Sequence, residues 1–199
     1  MQIKFPRIKV TVKNVYEECN HGLKVGDSFI FEDFTKAPAG FCEGATSALF
    51  PCLYALSFGA CFPFEENQRS IHTTCPDGGK VDFFSEVIEE GDIKPCFVDK
   101  EKHTGPNPRK MIISVDEVKG KCFYDYKKGD SFEVKGLRTI EGFCGAAYHT
   151  LFPVLFALNF GGTYPFEENV DSLSTVTCPD GGNIRFKVTR IEEKEEKNE

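Results

Sequence analysis

One pattern is written twice along this chain, and that constrains its fold more than any other feature. Gly26-Asp27-Ser28-Phe29 returns as Gly129-Asp130-Ser131-Phe132, and Gly40-Phe41-Cys42 as Gly142-Phe143-Cys144. Leu49-Phe50-Pro51 returns as Leu151-Phe152-Pro153, and Pro63-Phe64-Glu65-Glu66-Asn67 as Pro165-Phe166-Glu167-Glu168-Asn169. Cys75-Pro76-Asp77-Gly78-Gly79 returns as Cys178-Pro179-Asp180-Gly181-Gly182. The order is kept, and the offset changes only by short gaps before the Gly-Phe-Cys and Cys-Pro-Asp words. The chain therefore carries two copies of one small module, and each copy can be read against the other.

The first module is expected over 1–92 and the second over 111–193. Between them, 93–110 holds three prolines and a run of charge, which suggests an exposed connection. The last residues, 194–199, alternate Glu and Lys and read as a solvated tail.

Within one module, Ile8 to Lys13 alternates apolar and polar residues, as a half-buried strand does, and Met111 to Val118 is its copy. A second strand follows the Gly26-Asp27 turn. After Gly-Phe-Cys the period changes: Ala45, Leu49, Leu53 and Leu56 fall at helical spacing, as do Ala147, Leu151, Leu155 and Leu158. Gly59 and Gly161 close that helix. Pro51 and Pro153 interrupt it, so it is expected either to bend there or to begin near the proline. Two more strands flank the Cys-Pro-Asp-Gly turn, which the Asp77 and Asp180 carboxylates are expected to brace. The fold class is α+β: two tandem β-β-α-β-β modules, each an antiparallel sheet with one helix, packed as a pseudo-symmetric pair.

The formal net charge of -7 argues against nucleic acid and anionic membrane surfaces, which need clustered Lys and Arg. No apolar leader or membrane-length run is present, so a cytoplasmic protein is expected. In that reducing setting the nine cysteines would be thiols or metal ligands.

The duplication sorts those cysteines. Cys19 recurs as Cys122, Cys42 as Cys144 and Cys75 as Cys178, whereas Cys52, Cys61 and Cys96 have no counterpart and read as packing residues. Cys42 and Cys144 stand where the helix should begin, and free amides there favour a thiolate, the nucleophilic and metal-binding form. They are the candidate catalytic residues. All six recurring cysteines are candidate ligands for a small molecule or a metal, zinc or iron. No histidine recurs, so Asp27, Asp130, Glu65 or Glu167 would have to complete a four-ligand set. The adjacent pairs Glu65-Glu66 and Glu167-Glu168 diverge on a regular backbone and read more simply as loop residues, with the following Asn capping the loop. Three functions stay open: a thiol-dependent binding module, a cysteine-dependent redox or nucleophilic enzyme, and a structural or interaction protein whose cysteines pack.

The Gly-Asp, Gly-Phe-Cys, Leu-x-Phe-Gly and Cys-Pro-Asp-Gly words, in this order through both repeats, resemble a group of small uncharacterised prokaryotic proteins that each carry one such module. Members often have a Trp shortly after the Gly-Phe-Cys word, and this chain has none. The resemblance implies the module and a cytosolic setting, and no activity.

Overall fold

The computed structural model describes residues 3–100 and 109–191. The middle of the connection, 101–108, and the charged tail lie outside the described residues. Each module folds as β-β-α-β-β. The first has β1 (Arg7–Val15), β2 (Ser28–Phe31), α1 (Glu43–Ser57), β3 (Ser70–Thr74) and β4 (Val81–Glu89). The second has β5 (Lys110–Val118), β6 (Ser131–Lys135), α2 (Gly145–Asn159), β7 (Ser172–Thr177) and β8 (Ile184–Ile191).

Both sheets are antiparallel and have the same order, β2-β1-β4-β3 and β6-β5-β8-β7. The long strands alternate buried and partly exposed residues. Ile8, Val10 and Val12 of β1 point into the core with Val81 and Phe83 of β4, as the period of two requires. Ile8 lies opposite Val87 and Val10 opposite Ser85. The buried stripe of each helix covers that face: Ala45, Leu49, Leu53 and Leu56, matched by Ala147, Leu151, Leu155 and Leu158.

The prolines do not divide the helices. Each runs unbroken from just after the cysteine through the proline to the Leu-x-Phe-Gly word. Each ends in the same glycine cap: the Ala60 amide donates to Ala55 O at 3.0 Å, and Gly59, at φ 83°, donates to Leu56 O at 3.2 Å. Gly162, Ala157, Gly161 and Leu158 repeat this in the second module.

Beyond the caps, the modules exchange aromatic side chains. Phe62 packs on Phe156 and Phe160 of the other module, with centroids 5.7 and 4.9 Å away. Its counterpart Tyr164 packs reciprocally on Tyr54 and Phe58, at 6.4 and 4.8 Å. The backbone follows the same two-fold relation: Cys61 N donates to Phe160 O at 3.0 Å, and Thr163 N to Phe58 O at 2.8 Å. Phe62 and Tyr164 are fully buried. This is the contact pattern of an isologous dimer, held within one chain.

The start of the connection is docked at two points although much of it is exposed. Ile93 is buried in the core built around the second module. The Gln68 amide clamps Val98, donating to its carbonyl at 2.6 Å and accepting from its N–H at 2.8 Å. A polar composition concealed this docking because one isoleucine and one amide pair suffice to hold the segment.

The gap before the Cys-Pro-Asp word is a bulge in β7, where pairing with β8 slips between Leu173 and Val176. No helix among the described residues is long and apolar enough to cross a membrane.

Candidate functional site

The recurring cysteines gather at one end of each module without forming a ligand set. Cys42 and Cys144 are the N-cap residues of their helices, as their position in the sequence implies, but neither thiol accepts a capping hydrogen bond. Their carbonyls instead accept the Thr46 and Tyr148 amides, at 2.9 and 3.0 Å. The Cys144 amide donates to the Tyr126 hydroxyl at 2.9 Å. A Cβ placed on Gly44 would lie 3.7 Å from both Cys42 Sγ and Pro76 Cγ, so the helix-start thiol sits beside the turn that follows Cys75. In the second module, burial pushes the Cys178 thiol up, and the neighbouring Cys144 and Cys122 push it further. All six partly cover the apolar cores.

Among the described residues, no group of three or more His, Cys, Asp or Glu side chains is placed to hold a metal ion. The proposed supporting carboxylates are already engaged in their own loops. Asp27 accepts the Lys24 amide at 2.8 Å, and Asp130 accepts the Lys127 amide at 2.8 Å. Glu65 accepts the His72 amide and meets its Nδ1, both at 2.9 Å. Glu167 accepts the Ser174 amide and hydroxyl, also at 2.9 Å. The following Asn67 and Asn169 cap these loops through the Arg69 and Asp171 amides. The Cys-Pro-Asp turn is braced differently from the sequence expectation: Cys75 Sγ accepts the Asp77 amide at 3.4 Å, while the Asp77 carboxylate reaches out to Lys80.

A cavity of about 1000 Å³ opens between the first halves of α1 and α2. No cysteine lines it. Its walls come from matched positions of the two modules: Phe50 and Phe152, Pro51 and Pro153, Thr46 and Tyr148, Ser47 and His149, Glu43 and Gly145, Ala37 and Thr139. Phe41, next to Cys42, and Val134 and Leu137 of the second module add apolar surface. Each proline lacks an N–H, so the carbonyl of Ser47 or His149, four residues earlier, loses its helical donor at the cavity wall. The Phe and Pro pairs agree between the copies, whereas the other matched positions differ. Tyr148 is held in place by accepting the Ile140 amide at 2.6 Å. His149 does not recur in the first module, which argues against it as a shared ligand, yet it lines the cavity. The signal that could have found it is the divergence itself.

A smaller hollow in the first module is lined by Lys13, Glu65, His72 and Phe84. Its groups are occupied with one another: the His72 ring packs at a tilt against Phe84 with centroids 4.6 Å apart, and Lys13 Nζ lies 4.9 Å above the same ring.

Comparison with known proteins places no family on this architecture: no family model, no curated protein and no solved structure matches the chain.

Proposed function

We propose that this chain is a small-molecule binding protein whose site is the cleft between the two helices. One observation carries the reading: a cavity of about 1000 Å³, walled by aromatic rings and prolines from equivalent positions of both modules, with a few polar groups among its lining. That size and lining suit a drug-sized organic ligand. The duplication then has a functional purpose, because one module offers only half of the cleft.

In this reading the recurring cysteines support the cleft without lining it. They fill the junction between helix start and sheet, and Cys75 braces its turn. The binding half of the sequence expectation is retained, and the thiols move from ligands to scaffold.

The test is a fluorescence titration with N-phenyl-1-naphthylamine, an uncharged apolar dye. Saturable binding is expected, with about one site per chain. Phe152 is partly exposed at the cleft wall, so Phe152→Glu is expected to abolish binding and leave the melting temperature nearly unchanged. Alkylating the accessible thiols with iodoacetamide is expected to leave binding intact. Dye binding indifferent to Phe152→Glu, or lost on alkylation of a still-folded protein, would overturn the cleft reading.

A further inference from the structure

The cleft repeats its Phe and Pro pairs and is asymmetric in charge, and this asymmetry specifies a ligand. Resting on the reading above, we infer that the cleft takes an amphipathic organic anion: an apolar ring system or chain carrying one acidic group, paired with Arg138.

Arg138 lines the cleft between β6 and α2 and is exposed. It has no carboxylate partner among the described residues. Arg7, Arg69, Arg185 and Arg190 each pair with Asp or Glu, and Arg109, which like Arg138 has no such pair among the described residues, does not line the cleft. The first module shows what a merely solvated cation looks like at this place. Counting back from the Gly-Phe-Cys word, Lys36 corresponds to Arg138, and Lys36 lies 3.5 Å from Asp33 on its own loop. The second module's loop carries an acid, Glu141, on the far side of Ile140, but no ion pair joins it to Arg138 among the described residues, and Arg138 lines the cleft. It also carries Arg, whose planar fork suits a carboxylate, phosphate or sulfonate better than the ammonium of Lys.

The surrounding substitutions run in the same direction. Where the first module places Ser47 and Thr46 on the wall, the Thr46 hydroxyl being spent on Cys42 O, the second places His149 and Tyr148, whose donors lie on the same module as Arg138. The one acid in the cleft, Glu43, belongs to the opposite wall. It stands in the first turn of α1, where the positive helix start offsets its charge. A ligand with two identical ends would have no use for such divergence. A molecule with an apolar body and one acidic end would lie across Phe50 and Phe152 with that end towards Arg138.

Two probes that differ in charge test this. The aromatic sulfonate 1-anilinonaphthalene-8-sulfonate is compared with the uncharged N-phenyl-1-naphthylamine on the whole chain. Wild type is expected to bind both. Arg138→Gln is expected to weaken the sulfonate about tenfold, the usual size of one charge-assisted hydrogen bond, and to leave the neutral dye unchanged. Glu43→Gln is expected to hold or tighten the sulfonate. Near-ultraviolet circular dichroism checks that each variant keeps its fold. Sulfonate affinity unmoved by Arg138→Gln, or lost equally in Glu43→Gln, overturns the inference while the neutral dye keeps the cleft reading standing. Failure of the neutral dye to bind overturns the cleft reading itself.

Discussion

Arg69 and Arg190 perform the same task from opposite strands. Arg69, at the entry to β3, donates to Leu56 O and Ala60 O at the end of α1 and pairs with Glu90. Arg190, near the end of β8, donates to the equivalent carbonyls, Leu158 O and Gly162 O, and pairs with Asp171. The backbone fixes the correspondence: Val87 N donates to Arg69 O at 2.9 Å, and Arg190 N to Asp171 O at 2.8 Å. Position 69 therefore matches 171, and 87 matches 190, so the cation has crossed to the neighbouring strand. Both arrangements put positive charge at a helix C-terminus and satisfy carbonyls that the helix leaves open.

This exchange predicts a rescue. Arg69→Asp leaves buried carbonyls unpaired and is expected to destabilise by about 3 kcal/mol. Adding Val87→Arg reproduces the arrangement of the second module in the first and is expected to recover at least half of that loss. Glu90 is 43% exposed, so Glu90→Gln is expected to cost only about 1 kcal/mol. Urea unfolding of the wild type and these three variants measures the recovery. A double variant no more stable than Arg69→Asp alone would show that the two sites are not equivalent.

The unpaired cysteines make stability fall in alkali. Burial pushes Cys52 up to about 12 and Cys61 up to about 11. Both folded values lie above the unfolded thiol value, so the folded state resists losing these protons. The stabilising effect is whole below about pH 9 and is lost as pH rises above that towards the folded values. Between pH 8 and pH 10 the unfolding free energy is expected to drop by about 2 kcal/mol, read from urea midpoints. Cys52→Ala with Cys61→Ala should flatten that slope. Native-state labelling with Ellman's reagent should spare both thiols until the protein unfolds, while the half-buried cysteines react earlier.

Much of the fold was legible because the duplicated words mark its mechanical joints: the turns at Gly26 and Gly78, the helix start at Cys42 and the cap at Gly59. The site was less legible for the same reason. A comparison of copies favours identical residues, and the cleft is distinguished by positions that differ, such as Ser47 against His149. The crossed arginines were invisible because neither stands opposite another arginine. The β7 bulge added a slip: aligned across the gap, His72 falls against Thr175, but Glu65 and Glu167 show its true counterpart to be Ser174. Neither the docking of Ile93 nor the clamp on Val98 follows from composition, since each depends on a long-range contact.

The reciprocal insertion of Phe62 and Tyr164 predicts that the two modules unfold as one. Each ring is fully buried against the other module's helix, so neither module completes its core alone. Phe62→Ala is expected to cost about 4 kcal/mol. Differential scanning calorimetry should give a single transition in wild type, with matching calorimetric and van't Hoff enthalpies. Two resolved transitions in wild type would mean that the aromatic exchange does not couple the modules.

Gly59 and Gly26 separate the cost of an unusual backbone from the cost of a crowded one. Both adopt left-handed angles, φ 83° and 92°. A Cβ on Gly26 meets nothing within 4 Å, whereas one on Gly59 falls 2.8 Å from the Lys94 carbonyl oxygen and 3.2 Å from Ile93 Cγ2. Gly26→Ala therefore carries only the conformational penalty, about 1 kcal/mol. Gly59→Ala must also displace the docked start of the connection, and with it the Cys96 N–H bond to Gly59 O at 3.0 Å and the buried Ile93. It is expected to cost at least about 2 kcal/mol more. Hydrogen exchange should speed up at Cys96 and Val98 in Gly59→Ala and remain unchanged there in Gly26→Ala. Equal losses of stability, with protection at Cys96 kept in both variants, would show that the segment after β4 yields freely and is not part of the packed structure.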